Sequence, residues 1–205
     1  MAVWNASLAM LIGCAFVLAA PHPQPQDTRD TFRNHSTNPV TGALLAENQE
    51  WIWTRLPAAT TWQRLVPGRC PQWSKDGKRF YYFLDVGYDG SRAELWSADA
   101  DGEARLRLTQ SDYFINDGPV VVSPDNRSLA FVYQTSRASG DFNDVVVIDF
   151  RSSPIKPTDG RVVLRTRSAV DPKSLTWSAA TRLSVVVEGV RRDIDATAPG
   201  VPQAQ

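Results

Sequence analysis

The stretch CPQWSKDGKRFYYF, residues 70–83, returns in altered form as VVVSPDNRSLAFVY, residues 120–133, and again, more worn, as LTWSAATRLSVVV from Leu175 to Val187. Self-similarity at a spacing of about 50 residues marks a repeat architecture, because each copy specifies one unit that cannot bury its own hydrophobic surface. In the two clear copies a Ser is followed two residues later by Asp76-Gly77 or Asp125-Asn126, then by a basic residue and an apolar run. Asp-Gly and Asp-Asn tolerate the positive φ that a tight hairpin turn requires. Each phrase therefore predicts two antiparallel strands, PQWS turning into RFYYFLD and PVVVS turning into SLAFVYQT.

A further strand follows each pair, ELWSADA from Glu94 and DVVVIDF from Asp144, and a fourth comes after it, ARLRLT and RVVLRT. One four-stranded meander exposes two faces and does not stand alone in water. Stacking several copies face to face, as the blades of a β-propeller, buries both faces. Strand fragments flank the two clear copies. EWIWTRL and TWQRLV match the third and fourth strands of a blade, and SLTWS with RLSVVVE match a first and second. The expected fold is all-β: a partial β-propeller of about two complete four-stranded antiparallel blades flanked by two half blades. Trp73, Val122 and Trp177 recur at one phase of the repeat, which predicts packing between blades rather than a carbohydrate platform.

WSKDGKRFYYF, ELWSADADGEARLRLT and SPDNRSLAFVY resemble the WSPDGK … DADG … LT pattern of TolB-like propellers, also called WD40-like PD40 repeats. The resemblance runs from about Trp51 to Val187 and is clearest between Pro71 and Thr109. It implies six blades in a complete ring and an envelope role with a protein partner. Propellers of the dipeptidyl-peptidase and prolyl-oligopeptidase hydrolases are similar, so the motif specifies an architecture before an activity.

The segments outside the repeat read differently. SLAMLIGCAFVLAA, Ser7 to Ala20, is uncharged and ends in small residues before Pro21, which predicts a signal peptide over 1–20, or an N-terminal anchor if it is not cleaved. The chain is thus expected to be exported, secreted or periplasmic. Residues 21–48, rich in Pro and polar side chains, are expected to be a disordered linker and 191–205 a disordered tail, leaving 49–190 as the folded segment.

Several activities find no support in the sequence. Lys+Arg and Asp+Glu balance at 22 each, so there is no net field to draw nucleic acid. There is no G-x-S-x-G elbow, and the only histidines, His22 and His35, lie in the expected linker. A Ser-His-Asp hydrolase is not expected on this basis, nor is a metal site or any other cofactor. Asp99-Ala-Asp101-Gly102 has the look of a calcium loop but lacks its later ligands, and reads as a hairpin turn. Cys70 reads as a small buried filler.

What remains is surface. Loops at one end of the blades carry Tyr88, Arg92, Tyr113, Phe114, Asp117, Arg137 and Phe142, the aromatic and Arg types that anchor protein interfaces. The functional expectation is an exported, non-enzymatic scaffold for protein–protein interaction. The alternative is the N-terminal propeller of a secreted serine hydrolase whose catalytic domain is not in this sequence. The blade arithmetic gives three, expected either as part of a longer array or as half of a homodimer completing a six-bladed ring, with bare end faces lined by Trp51, Trp53, Leu183 and Val185.

Overall fold

The computed structural model describes residues 31–86, 92–109, 114–115, 118–137, 140–149 and 160–201. The expected signal peptide lies outside these residues. No helix among them is long and apolar enough to cross a membrane. They form four antiparallel sheets that follow one another along the chain as the blades of a propeller. The first blade holds β1 (Arg33–Thr37), β2 (Leu44–Asn48), β3 (Trp51–Arg55) and β4 (Gln63–Pro67). The second holds β5 (Arg69–Trp73), β6 (Arg79–Val86), β7 (Arg92–Asp99) and β8 (Leu106–Arg107).

In the third blade β10 (Val121–Val122), β11 (Ser128–Arg137), β12 (Gly140–Asp149) and β13 (Arg161–Thr166) lie in order, with the short β9 (Phe114–Ile115) added beside β11. The fourth is β14 (Val170–Ala179), β15 (Arg182–Val187) and β16 (Val190–Asp195).

The meander expected for the two clear copies is the one observed. The flanking sheets are fuller than halves. Residues 33–48, assigned from composition to a linker, supply β1 and β2, and Val190–Asp195, assigned mostly to a tail, supplies β16. Composition misled because β1 and β16 bury almost no apolar side chain and are held by bonds to their neighbours, while β2 brings its buried Leu45 and Ala46 from an otherwise polar stretch. Ser36 Oγ accepts the Trp73 amide at 3.0 Å, and Ile194 is the one core side chain of β16. With four blades among the described residues, the arithmetic behind a six-bladed homodimer changes, since two copies would bring twice that number.

Three apolar seams join the four sheets. Leu45, Ile52 and Val66 meet Trp73, Phe80 and Tyr82 between the first and second blades. Phe83 and Leu95 meet Leu129, Phe131 and Ile148 between the second and third. Val132 and Val145 meet Leu175, Leu183 and Val185 between the third and fourth. Trp73 is buried in its seam, and Trp177 lies half-buried with its Nε1 donating to the Val121 carbonyl of the adjacent blade at 3.1 Å. Both indoles therefore pack between blades, as their common phase implies. Cys70 is a buried filler of the second seam. Leu183 and Val185 are not on a bare end face. They point into the third seam, because alternation along β15 turns Arg182, Ser184 and Val186 to the opposite side, where Ser184 is itself buried and accepts Arg191.

The repeated Ser-x-Asp locks each hairpin. Ser74 Oγ donates to Asp76 Oδ1 at 2.7 Å and accepts the Arg79 amide at 3.0 Å, while Asp76 Oδ1 accepts the Lys78 amide. Ser123 and Asp125 repeat the arrangement at 2.6 Å. The Ser hydroxyl bond, foremost, holds both carboxyls below the ordinary Asp range. A carboxyl depressed in this way stabilises the fold at pH above the ordinary range, and the contribution is lost as pH falls through the depressed value.

The first blade performs the same closure with other letters. Asn38 Oδ1 accepts the Val40 and Thr41 amides, and the Asn38 and Gly42 backbones close the turn. Asn38 Nδ2 also donates to the Gly77 carbonyl at 2.8 Å, and the Lys75 amide donates to Asn126 Oδ1 at 3.3 Å, so the turns of successive blades are tied together. Gly77 sits at φ +67°, and a Cβ there would overlap the Asn38 side chain. Gly77→Val therefore combines a left-handed backbone that a β-branched residue resists with a broken inter-blade bond. A loss of about 1–3 kcal/mol in urea unfolding is expected, and an unchanged midpoint would refute the assignment.

Candidate binding surface at the loop end of the blades

The opposite end of the blades carries the β6–β7 and β11–β12 connections. In the third blade the β11–β12 pair continues up to Arg137 opposite Gly140, with Phe142 opposite Thr135, Asn143 opposite Gln134 and Asp144 opposite Tyr133. β9 adds to the other side of β11, so that Phe114 also opposes Gln134. The register thereby gathers Phe114, Arg137 and Phe142 at one end of one sheet. Arg92 opens β7, opposite Val86 and exposed, at the corresponding end of the second blade. Tyr88, Tyr113 and Asp117 lie outside the described residues.

Beneath this end lies a group that the sequence reading did not single out. Asp144 is fully buried and accepts both Nε and Nη2 of Arg165 on β13, at 2.9 and 2.8 Å. The two-bonded carboxylate holds the guanidinium above its ordinary range, and the Arg165 side chain is itself only 11% exposed. Its guanidinium carbon lies 5.9 Å from the Phe142 ring centre, and that of the exposed Arg167 lies at 5.0 Å. Both are within the range of cation–π attraction. Asn143 Nδ2 donates to the Ser168 carbonyl at 3.0 Å and fixes the chain that follows β13. Phe142 is thus a half-buried ring flanked by two cations on a hydrogen-bonded base.

The second blade repeats the base. Glu94, at the same phase of its third strand as Asp144, is buried, pairs with Arg107 on β8 at 3.2 Å and accepts Trp96 Nε1. The signal was present in the sequence as Glu94 with Leu106-Arg107 and Asp144 with Leu164-Arg165. It is spread over two strands and so escapes a reading made strand by strand.

The turn end offers two polar crevices, one of about 350 Å³ lined by Ser74, Asp76, Arg79, Asp99 and Asn126, and one of about 240 Å³ lined by Asp125, Arg127, Asp149, Arg161 and Trp177. Several of these groups are already engaged in the turn bonds described above, and Ser128 Oγ donates to Asp149. Burial, above all, pushes the Tyr81 phenol at the first crevice up to about 12, so it stays protonated near neutrality. Asp99 accepts the Glu103 and Ala104 amides, which makes 99–102 a hairpin turn as expected. Among the described residues no group of three His, Cys, Asp or Glu is placed to hold a metal ion.

The fold has known counterparts. TolB from Acinetobacter baumannii superposes with a TM-score of 0.58 at 16% identity, over 83% of this chain and 42% of that one. The chain has the fold of a TolB-like β-propeller. The nidogen/laminin complex matches at TM-score 0.55 and 11% identity over 80% of this chain and 64% of that one. A prolyl endopeptidase matches at 0.54 and 12% over 83% and 28%. The chain thus spans less than two thirds of each of these structures. No family model matches the sequence, and no curated protein matches it at a significant level. At such identities the likeness extends to the fold and not to an activity.

Proposed function

We propose that this TolB-like propeller is an exported, non-enzymatic scaffold that binds a protein partner at its loop end, with Phe142 as the anchor. The observation that carries the reading is the half-buried Phe142 ring within cation–π range of both Arg165 and Arg167, with Arg165 itself paired to the buried Asp144. Aromatic and Arg side chains on a rigid base are the usual energetic centres of protein interfaces, since little side-chain freedom is left to lose on binding. Export rests on the apolar run from Ser7 to Ala20. The non-enzymatic part rests on the sequence, which lacks a nucleophile elbow. His35, the one histidine among the described residues, lies 3.1 Å from the Phe32 carbonyl.

The test places a photo-crosslinking amino acid at position 142 and, as a control, at Val40, which is exposed on the turn end. In the native host a single discrete protein adduct is expected from position 142 and none from position 40. With the captured protein purified, Phe142→Ala is expected to weaken binding about tenfold or more. Adducts equal at both positions, or unchanged affinity for the variant, would reject the loop end as the site.

A further inference from the structure

The three apolar seams leave one face of the first blade and one face of the fourth without a seam of their own among the described residues. The two faces differ in chemistry. On the first blade, alternation along β3 sends Ile52 into the seam and Trp51, Trp53 and Arg55 outward. Phe32 stacks on Trp62 at 4.5 Å and meets Trp53 edge-on at 5.9 Å. Arg64 lies over Trp51 at 4.3 Å and Arg55 over Trp62 at 4.9 Å. The result is a layer of half-buried rings capped by guanidinium groups, and the register puts no carboxylate on it.

The outward face of the fourth blade is polar and carries acid. Arg182, Ser184 and Val186 on β15 lie opposite Asp195, Asp193 and Arg191 on β16, and Asp171 on β14 also opposes Val186. Arg191 is engaged with Ser184 Oγ at 2.9 Å. Of the two end faces, only this one presents carboxylates: the register puts three there beside the two guanidinium groups of Arg182 and Arg191, and Arg191 is turned to Ser184. Among the described residues the other blade faces are covered by the neighbouring blade in the series.

We propose that the ring-and-guanidinium face of the first blade docks on the acid-bearing face of the fourth blade of a second copy, continuing the blade series from one chain to the next. The joint is heterologous, so two copies that close on each other form it twice. Arg55 and Arg64 then meet the partner's carboxylates, and the ring layer lies over Val186. Blade-on-blade packing of this kind joins the sheets of the chain itself at each of the three seams among the described residues.

The test is light scattering on the full 205-residue chain, whose mass is 22.7 kDa. Twice that mass is expected. Arg64→Asp and, separately, Asp193→Arg are each expected to give the single-chain mass. Mixing these two variants in equal amounts restores the dimer, because the altered faces then complement each other and the unaltered faces do as well. Both positions are exposed, and circular dichroism checks that each variant keeps its sheet content. A wild-type chain at the single-chain mass would overturn the joint. So would a dimer insensitive to Asp193→Arg, which would place the contact on another face, and so would single variants that fail to recombine.

Discussion

Asp144→Ala is expected to lower the free energy of unfolding by about 3–5 kcal/mol. The size follows from what is left behind. Arg165 is nearly as buried as its partner and loses both of its bonds to the carboxylate at once, with the neutral Tyr133 hydroxyl also beside it. An uncompensated buried charge costs far more than the pair contributes when intact. Replacing both residues with apolar side chains of similar size, Asp144→Leu with Arg165→Met, is therefore expected to recover most of the loss. Chemical denaturation of the single and double variants measures both numbers. A single-variant loss below about 1 kcal/mol would show that the pair behaves as an exposed one.

Glu47→Ala is expected to cost about 2–4 kcal/mol, through the joint between the first and second blades. The Glu47 carboxylate is buried and accepts the Cys70 amide at 3.0 Å, Asn34 Nδ2 at 2.7 Å and Arg33 Nη2 at 3.2 Å. Cys70 holds φ at 52°, an uncommon conformation for a residue with a Cβ, and the bond to Glu47 fixes its amide there. Removing the carboxylate leaves a buried backbone N–H without its acceptor. Glu47→Gln keeps one acceptor oxygen and is expected to lose less. Equal losses for the two variants in the same denaturation experiment would mean that the charge and second oxygen of the carboxylate, which Gln lacks, set the whole effect, and that the retained acceptor oxygen and the side-chain volume contribute nothing.

The middle of the fold was legible in the sequence because Ser-x-Asp followed by Gly or Asn makes the same turn bonds each time it is written. Ser74 with Asp76 and Ser123 with Asp125 are one device in two places. The first blade was illegible for a physical reason: Asn38 alone supplies the acceptor for two turn amides and the donor to the next blade, so Asn38-Pro-Val-Thr-Gly42 does the work of the phrase with none of its letters. β1 reads RNHST, and no apolar pattern could announce it, since its buried side chain is Ser36. β16 reads VRRDID and commits only Ile194 to a seam. At the loop end the sequence picked out Phe142 by type, while the cations that flank it and the acid beneath it came from strand register. Two residues facing each other across β12 and β13 are not neighbours in any one-dimensional window.

Hydrogen–deuterium exchange read residue by residue tests the four-blade arrangement most directly. If residues 33–48 and Val190–Asp195 are strands sealed to their neighbours, the paired amides of Leu44–Asn48 and Val190–Asp195 exchange far more slowly than free chain, approaching the protection of Arg79–Val86. Exchange of these two segments at free-chain rates, beside protected strands from 69 to 187, would contradict the account and return the chain to two blades between flexible ends.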